Sequence, residues 1–320
     1  MKKFFTVLFI LFVVSVSSVF AIGKPEQKAT YTVGICQLVQ HPALDAATQG
    51  FMDVLKKEFG DDIKFDLQNA SGEVNNCSTI INGFVSKRVN LILANATAPL
   101  QVAASATTSI PVLGTSITNY ATALELKNYN GTVGGNISGT SDLAPLDEQA
   151  LMFKEWFPNA KTVGLLYCSA ESNSQYQVET MEKHLQKLGY KTNRFSFTDT
   201  NDLAAVTQMA CEKSDVIYIP TDNSAASNTE SIANILISNS TPAIAGEEGI
   251  CSGCGVATLS ISYYDLGVTT GEMAVKILKG SKNISEMPVE YTSVTKKYNP
   301  RMCEIFGLQP LNGYEPIQEN

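Results

Sequence analysis

Short apolar runs alternate along this chain with longer stretches in which apolar residues recur every three or four positions. The first run, Tyr31–Cys36 (YTVGIC), has the composition of a buried strand, and the periodicity behind it predicts a helix over Leu44–Glu58. The pair then repeats. IKFDLQNA (63–70) precedes a helical pattern over Val74–Ser86, and VNLILANA (89–96) precedes one over Pro99–Thr107; IPVLGTS (110–116) and GTVGGNISG (131–139) follow. A second series opens with a helix over Leu146–Phe157. KTVGLLYC leads to a helix over Ser174–Leu188, KTNRFSF to one over Asp202–Glu212 and SDVIYIP to one over Ala225–Ser238, before TPAIAGE and GVATLSIS. A long helical pattern, Tyr264–Lys279, stops at Gly280, and VEYTSVTKKYN with a short C-terminal helix ends the chain.

Strands separated by helices pair in parallel, because a parallel pair needs a long crossover and a helix supplies it. The class is therefore α/β, with parallel central sheets. The two series have similar lengths and open on Val33-Gly34 and Val163-Gly164, which predicts two α/β lobes of one architecture. The glycine-rich stretch Gly131–Gly139 reads as the crossover between the lobes.

The N-terminus breaks this pattern. Lys2 and Lys3 precede an apolar run, Phe4–Val14, and Val19 and Ala21 supply the small-residue end of a signal peptide over residues 1–21. The chain carries 23 basic against 31 acidic residues, and no Lys/Arg cluster, which argues against a nucleic-acid partner. No cysteine stands at the cleavage site to carry a lipid, so a protein free in the periplasm or secreted is expected. Its seven cysteines are an odd set, mostly inside apolar runs, where they read as small buried hydrophobes. Cys251-Ser-Gly-Cys254 could close a local disulfide, but it lacks the second ligand pair of a zinc site and the helix-start context of a redox motif.

In open α/β sheets ligands bind beyond the carboxyl ends of the strands. The segments there are 37–42, 69–72, 95–99 and 115–120 in the first series, and 168–174, 220–224 and 246–254 in the second. Hydroxyl and amide side chains dominate them, with carboxylates Glu171, Asp222, Glu247 and Glu248 in the second series. Hydroxyls and helix N-termini suit a carboxylate, and acidic side chains suit an ammonium, so the set reads as a receptor for a zwitterion. Each residue alone also reads as a helix N-cap. No phosphate-binding loop and no nucleophile elbow is present, and Gly135-Asn-Ile-Ser-Gly139 lacks the spacing of a dinucleotide site. Neither an enzyme nor a cofactor is expected. His41, one of two histidines, is either the rim of the pocket or a loop histidine without ligand contact.

The segments VGICQLVQHPALDAATQGFMDVLKK, NATAPLQVAASATTSIPVLGTSIT, VGGNISGTSD, KTVGLLYCSAESNSQYQVETMEKHLQKLGYK, DVIYIPTDN and GVATLSISYYDLGVTTGEMAVKILKG occur in this order. Together they resemble the tryptophan/tyrosine-type substrate-binding proteins of ABC transporters, from about Tyr31 to about Leu308. The resemblance implies a type I periplasmic-binding-protein fold, with two Rossmann-like lobes, three crossovers and a ligand cleft between the lobes. It places residues 30–140 plus 262–288 in an N-terminal lobe and 141–261 plus 289–320 in a C-terminal lobe. It also implies an amino-acid ligand, aromatic in class (tryptophan, tyrosine or phenylalanine), membrane permease and ATPase partners, and a monomer. An aliphatic amino acid or nucleoside ligand, or a sensory role without transport, stay open. Carried over residue by residue, the ligand positions are Gln37, Leu38, His41, Ala96, Thr97, Thr118, Asn119, Asn173, Ser174, Asp222, Asn223, Glu247 and Glu248. On this reading Thr97 and Thr118 hold the α-carboxylate, Asp222 with Glu247 or Glu248 holds the ammonium, and Leu38 and His41 line the side-chain slot. Thr118-Asn119-Tyr120 stands where the family is expected to carry Thr-Asp-Pro, which predicts a cleft wall altered by a tyrosine.

Overall fold

The apolar runs become two separate sheets in the computed structural model, which describes residues 31–318. The expected signal peptide, residues 1–21, lies outside the described residues. In the first sheet, β1 (Tyr31–Gln37), β2 (Ile63–Asn69), β3 (Leu91–Asn95), β4 (Val112–Ile117) and β5 (Ile137–Ser141) alternate with α1 (Pro42–Phe59), α2 (Val74–Lys87), α3 (Thr97–Ala106) and the single turn α4 (Tyr120–Ala123). β3 and β4 are buried along their whole length, as central parallel strands covered on both faces must be. Ile92 and Ala94 pack on one face with Ile81, Phe84 and Leu100; Leu91 and Leu93 pack on the other with Phe51, Leu55 and Met273.

After β5 the chain enters α5 (Leu146–Trp156) and the second sheet. This holds β6 (Thr162–Cys168), β7 (Lys191–Phe197), β8 (Val216–Ile219), β9 (Ala243–Ala245) and β10 (Ala257–Ile261). The helices between them are α6 (Ser172–Lys187), α7 (Thr200–Glu212), α8 (Asn223–Ala226), α9 (Thr229–Ser238) and α10 (Glu248–Cys254). Then α11 (Tyr263–Leu278) returns to lie on α1, and β11 (Glu290–Tyr291) adds to β5 in parallel. Finally β12 (Val294–Tyr298) runs antiparallel to β10, followed by α12 (Pro300–Phe306) and β13 (Glu315–Pro316). The sheet orders are β11-β5-β4-β3-β1-β2 and β13-β12-β10-β9-β8-β6-β7. The chain thus passes between sheets at 142–145, at 262 and at 292–293.

Three local expectations change. The stretch 131–139 is not the crossover: its end is the first part of β5, and the passage follows Ser141. Gly139 explains the glycine there. Its φ is +146°, and a Cβ on it would sit 2.0 Å from Gly114 O and 2.4 Å from the Tyr120 hydroxyl. The single helix expected over Ala225–Ser238 is two, because Asn228 leaves helical geometry and its amide donates to Ser224 O at 2.8 Å, competing with the helix backbone. The Cys251–Cys254 segment is helical. Both thiols are buried and not joined in a disulfide, as are the other cysteines among the described residues.

Candidate functional site

The carboxyl ends of both sheets face each other, and the sequence places short polar segments there. On the first sheet, β1 runs into Leu38–Gln40 and turns at His41 before Pro42 starts α1. Pro fits the first helical turn, where its missing N–H has no partner to lose. His41 is 93% buried, and its Nε2 lies 3.2 Å from Asn223 Oδ1 on the opposite lobe. The Asn223 amide nitrogen donates to Glu171 at 2.6 Å, so its oxygen is the atom turned to His41, and the imidazole donates from Nε2. Nδ1 has no partner. Burial lowers the pKa of the imidazole, against the raising effect of Asn223, Glu171 and Asp45.

Two strained residues stand at neighbouring strand ends. Ala96, ahead of α3, has φ +99°, and Ser116, in β4, has φ +57°. Non-glycine residues persist in this region only where their surroundings hold them, and such sites cluster in binding clefts. Ser116 is buried with an unpartnered hydroxyl. Thr118, just beyond β4, is buried and reaches across the cleft to Thr221 Oγ1 and to Gln177 Nε2, each at 3.4 Å.

On the second sheet, helix starts organise the acids. Asp222 caps α8 through Ala225 N at 2.8 Å and also accepts from Cys168 N at 2.6 Å. Glu247 caps α10, accepting from Gly249 N at 2.6 Å and from Ile250 N. Glu171 accepts from Asn223 N, from the Asn223 and Asn173 amides and from Ser224, and so joins α6 to α8. Asp142, where the chain leaves β5, accepts from the Tyr263 hydroxyl at 2.9 Å; Tyr263 opens α11 where the chain returns from β10. Burial raises Asp142 to about 6 and Glu247 to about 7. Burial, with the charge of Glu171, raises Asp222 to about 8.

Between the sheets lies a small cleft, partly open to solvent, whose empty space is about 280 Å³ with the solvent-facing part included. His41, Leu44, Ser116, Thr118, Asp142, Asn173, Thr221, Asp222, Asn223, Ala226, Glu247 and Tyr263 line it. The structure therefore brings together six of the expected positions: His41, Thr118, Asn173, Asp222, Asn223 and Glu247. The other seven stand elsewhere. Gln37 turns inward to Thr48, Asp45 and Val39 O, and Leu38 packs in the core of the first lobe. Ala96 and Thr97 begin α3 without lining the space, and Asn119 caps α4 through Thr122 N. Ser174 is buried behind Asn173, and Glu248 pairs with Lys297 at 2.6 Å. The tyrosine expected in the cleft wall is not there. Tyr120 points into the first lobe, its hydroxyl donating to Gly114 O at 3.0 Å and Thr140 O at 3.2 Å.

Sequence reasoning missed Leu44, Asp142, Ala226 and Tyr263, and counted Ser116 and Thr221 among the strand-end hydroxyls without giving them a ligand role. Ser116 and Thr221 fall inside polar segments already singled out. Asp142 follows β5 and Tyr263 opens α11 after β10, where the chain passes between the sheets, outside the strand-end segments that had been singled out. Among the described residues no group of His, Cys, Asp and Glu is placed to hold a metal.

The family model described as ABC transporter substrate binding protein matches residues 32–301. The chain is 35% identical over 269 residues to the tyrosine-binding protein of Clostridioides difficile (strain R20291), covering 83% of this chain and 77% of that one. It superposes on an ABC domain in complex with L-Trp from Streptococcus pneumonia with a TM-score of 0.85 at 31% identity, over 90% of this chain and all of the other. With the ligand-free, open structure of a Clostridium difficile substrate-binding protein the TM-score is 0.69 at 34% identity, over 91% of this chain and all of the other. The TM-score is higher with the liganded relative than with the open one, and side chains of the two lobes are hydrogen-bonded across the cleft.

Proposed function

Because the chain belongs to the family of ABC transporter substrate-binding proteins, we propose that its inter-lobe cavity holds an aromatic amino acid, tryptophan, tyrosine or phenylalanine, for delivery to a membrane permease driven by an ATPase. The family is one of binding proteins rather than enzymes. The observation that carries the reading is the lining: three buried carboxylates, hydroxyl and amide groups from both lobes, and no lysine or arginine. Buried acids without a cationic side chain favour a ligand that brings its own positive charge. Thr118, Thr221 and the amides of Asn173 and Asn223 supply neutral partners for its carboxylate. Leu44, Ala226 and the rings of Tyr263 and His41 supply the apolar wall, where an aromatic ring stacks. The names of two relatives, one binding tyrosine and one holding L-Trp, support the same class.

On this reading residues 1–21 are a signal peptide removed on export, and the ligand draws the lobes together by binding the closed arrangement better than the open one. Calorimetry against tyrosine, tryptophan, phenylalanine, leucine and a nucleoside tests it. An aromatic amino acid bound at least about tenfold more tightly than leucine is expected; preference for leucine or the nucleoside sinks the assignment.

A further inference from the structure

The three carboxylates of the cavity differ in what they have left to offer. Both oxygens of Asp222 accept from backbone amides, at Cys168 and Ala225. Both oxygens of Glu247 accept from the first amides of α10. Asp142 accepts from the Tyr263 hydroxyl on Oδ2 at 2.9 Å and has the Thr118 hydroxyl near enough to favour its ionised form, while Oδ1 makes no hydrogen bond of normal geometry, although the residue is only 6% exposed. Asp142 N donates to Ile117 O at 3.2 Å, which sets Asp142 alongside the end of β4 and therefore near Ser116. Ser116 also lines the cavity, and its buried hydroxyl is also without a partner. A buried acceptor left unmade is costly, and a charged one more so. These two orphaned oxygens in one small cavity mark the place where a donor arrives.

We propose that Asp142 Oδ1, with the Ser116 hydroxyl as second acceptor, receives the ammonium group of the ligand, while Asp222 and Glu247 serve the helix starts beside it. The inference rests on the reading above only in requiring an amino group. It also moves recognition from the second lobe to the connecting passages. Asp142 stands where the chain leaves the first sheet, and its partner Tyr263 stands where the chain returns, so an ammonium bound there acts on the segments about which the lobes move.

Calorimetry with ligand pairs tests this: tyrosine against 3-(4-hydroxyphenyl)propionate, and tryptophan against indole-3-propionate, each differing by the amino group. Asp142→Asn is expected to weaken the amino acid by about 30-fold or more, and to leave the analogue's affinity unchanged or higher, so that the preference collapses. Ser116→Ala should reduce the preference several-fold. A variant of Asp142 that keeps the preference, with loss in Asp222→Asn or Glu247→Gln, overturns the proposal. If Asp142→Asn does not fold by thermal scan, a crystal structure of the wild type with its amino acid decides. A ligand nitrogen within about 3 Å of Oδ1 supports the proposal, and a nitrogen on Asp222 or Glu247 overturns it. A wild type that prefers leucine removes the aromatic reading alone, and Asp142 is then tested with leucine against 4-methylpentanoate. A wild type that binds only ligands lacking an amino group overturns both.

Discussion

Single side chains set the pH behaviour of this protein. Burial raises Asp142, Glu247 and Asp222 above their unfolded values, to about 6, about 7 and about 8. The folded state therefore holds these protons more tightly than the unfolded chain. Their unfavourable contribution is absent below about pH 4 and grows as pH rises through the folded values. His41, lowered by burial, acts in the opposite sense, losing stability as pH falls below its unfolded value, but it is one group against three. Thermal scans of the ligand-free protein should show the melting temperature falling between pH 5 and pH 8. Affinity for an amino acid, measured over the same interval, should rise, because the ammonium favours the ionised acids. A second residue-level outcome concerns Tyr120. Replacing it by Phe removes the hydrogen bonds to Gly114 O and Thr140 O in the core and should cost about 1–3 kcal/mol in urea denaturation. Ligand affinity should not change, since Tyr120 does not line the cavity.

At the scale of elements, the packing of α1 on α11 holds the first lobe together at the point where the chain returns from the second. The two helices approach to backbone contact. A Cβ on Gly267 would lie 2.0 Å from Ala47 O, and one on Gly50 2.2 Å from Tyr264 O. Backbone oxygens cannot swing aside as a flexible side chain does. Gly267→Ala should therefore destabilise by about 1–3 kcal/mol or more, read as a shift of the denaturant midpoint at constant slope. These long helices were legible from their apolar period. The short ones were not: α4, α8 and α10 are a turn or two long and begin on the capping residues Asn119, Asp222 and Glu247, whose polar runs look like loops. The same ambiguity runs through the site. An acid before a helix reads equally as a cap or as a ligand, and only coordinates show that Asp222 and Glu247 cap while keeping a place in the lining.

For the whole molecule, the quantity that matters is the balance between open and closed lobes. Few bonds span the cleft: His41 to Asn223, and Thr118 to Thr221 and Gln177. Glu171 holds the Asn223 amide for the first of these. Asn223→Ala should leave the fold intact and speed ligand dissociation by about 2- to 10-fold, measured by stopped-flow fluorescence. Solution scattering should show the radius of gyration falling when the amino acid is added, and the fall should be smaller in this variant.

The chain's own pattern determined the α/β class, the two series of parallel strands and the strand-end segments from which the pocket is built, because burial on both faces writes continuous apolar runs that need no knowledge of neighbours. It also pointed to His41, Thr118, Asn173, Asp222, Asn223 and Glu247. Tertiary structure alone decided that Gln37, Leu38 and Tyr120 turn inward, that Glu248 pairs with Lys297, and that Asp142, Ser116 and Tyr263 meet at the cavity. Asp142 and Tyr263 are 121 positions apart, and their meeting depends on where two connecting passages cross, which no local period records.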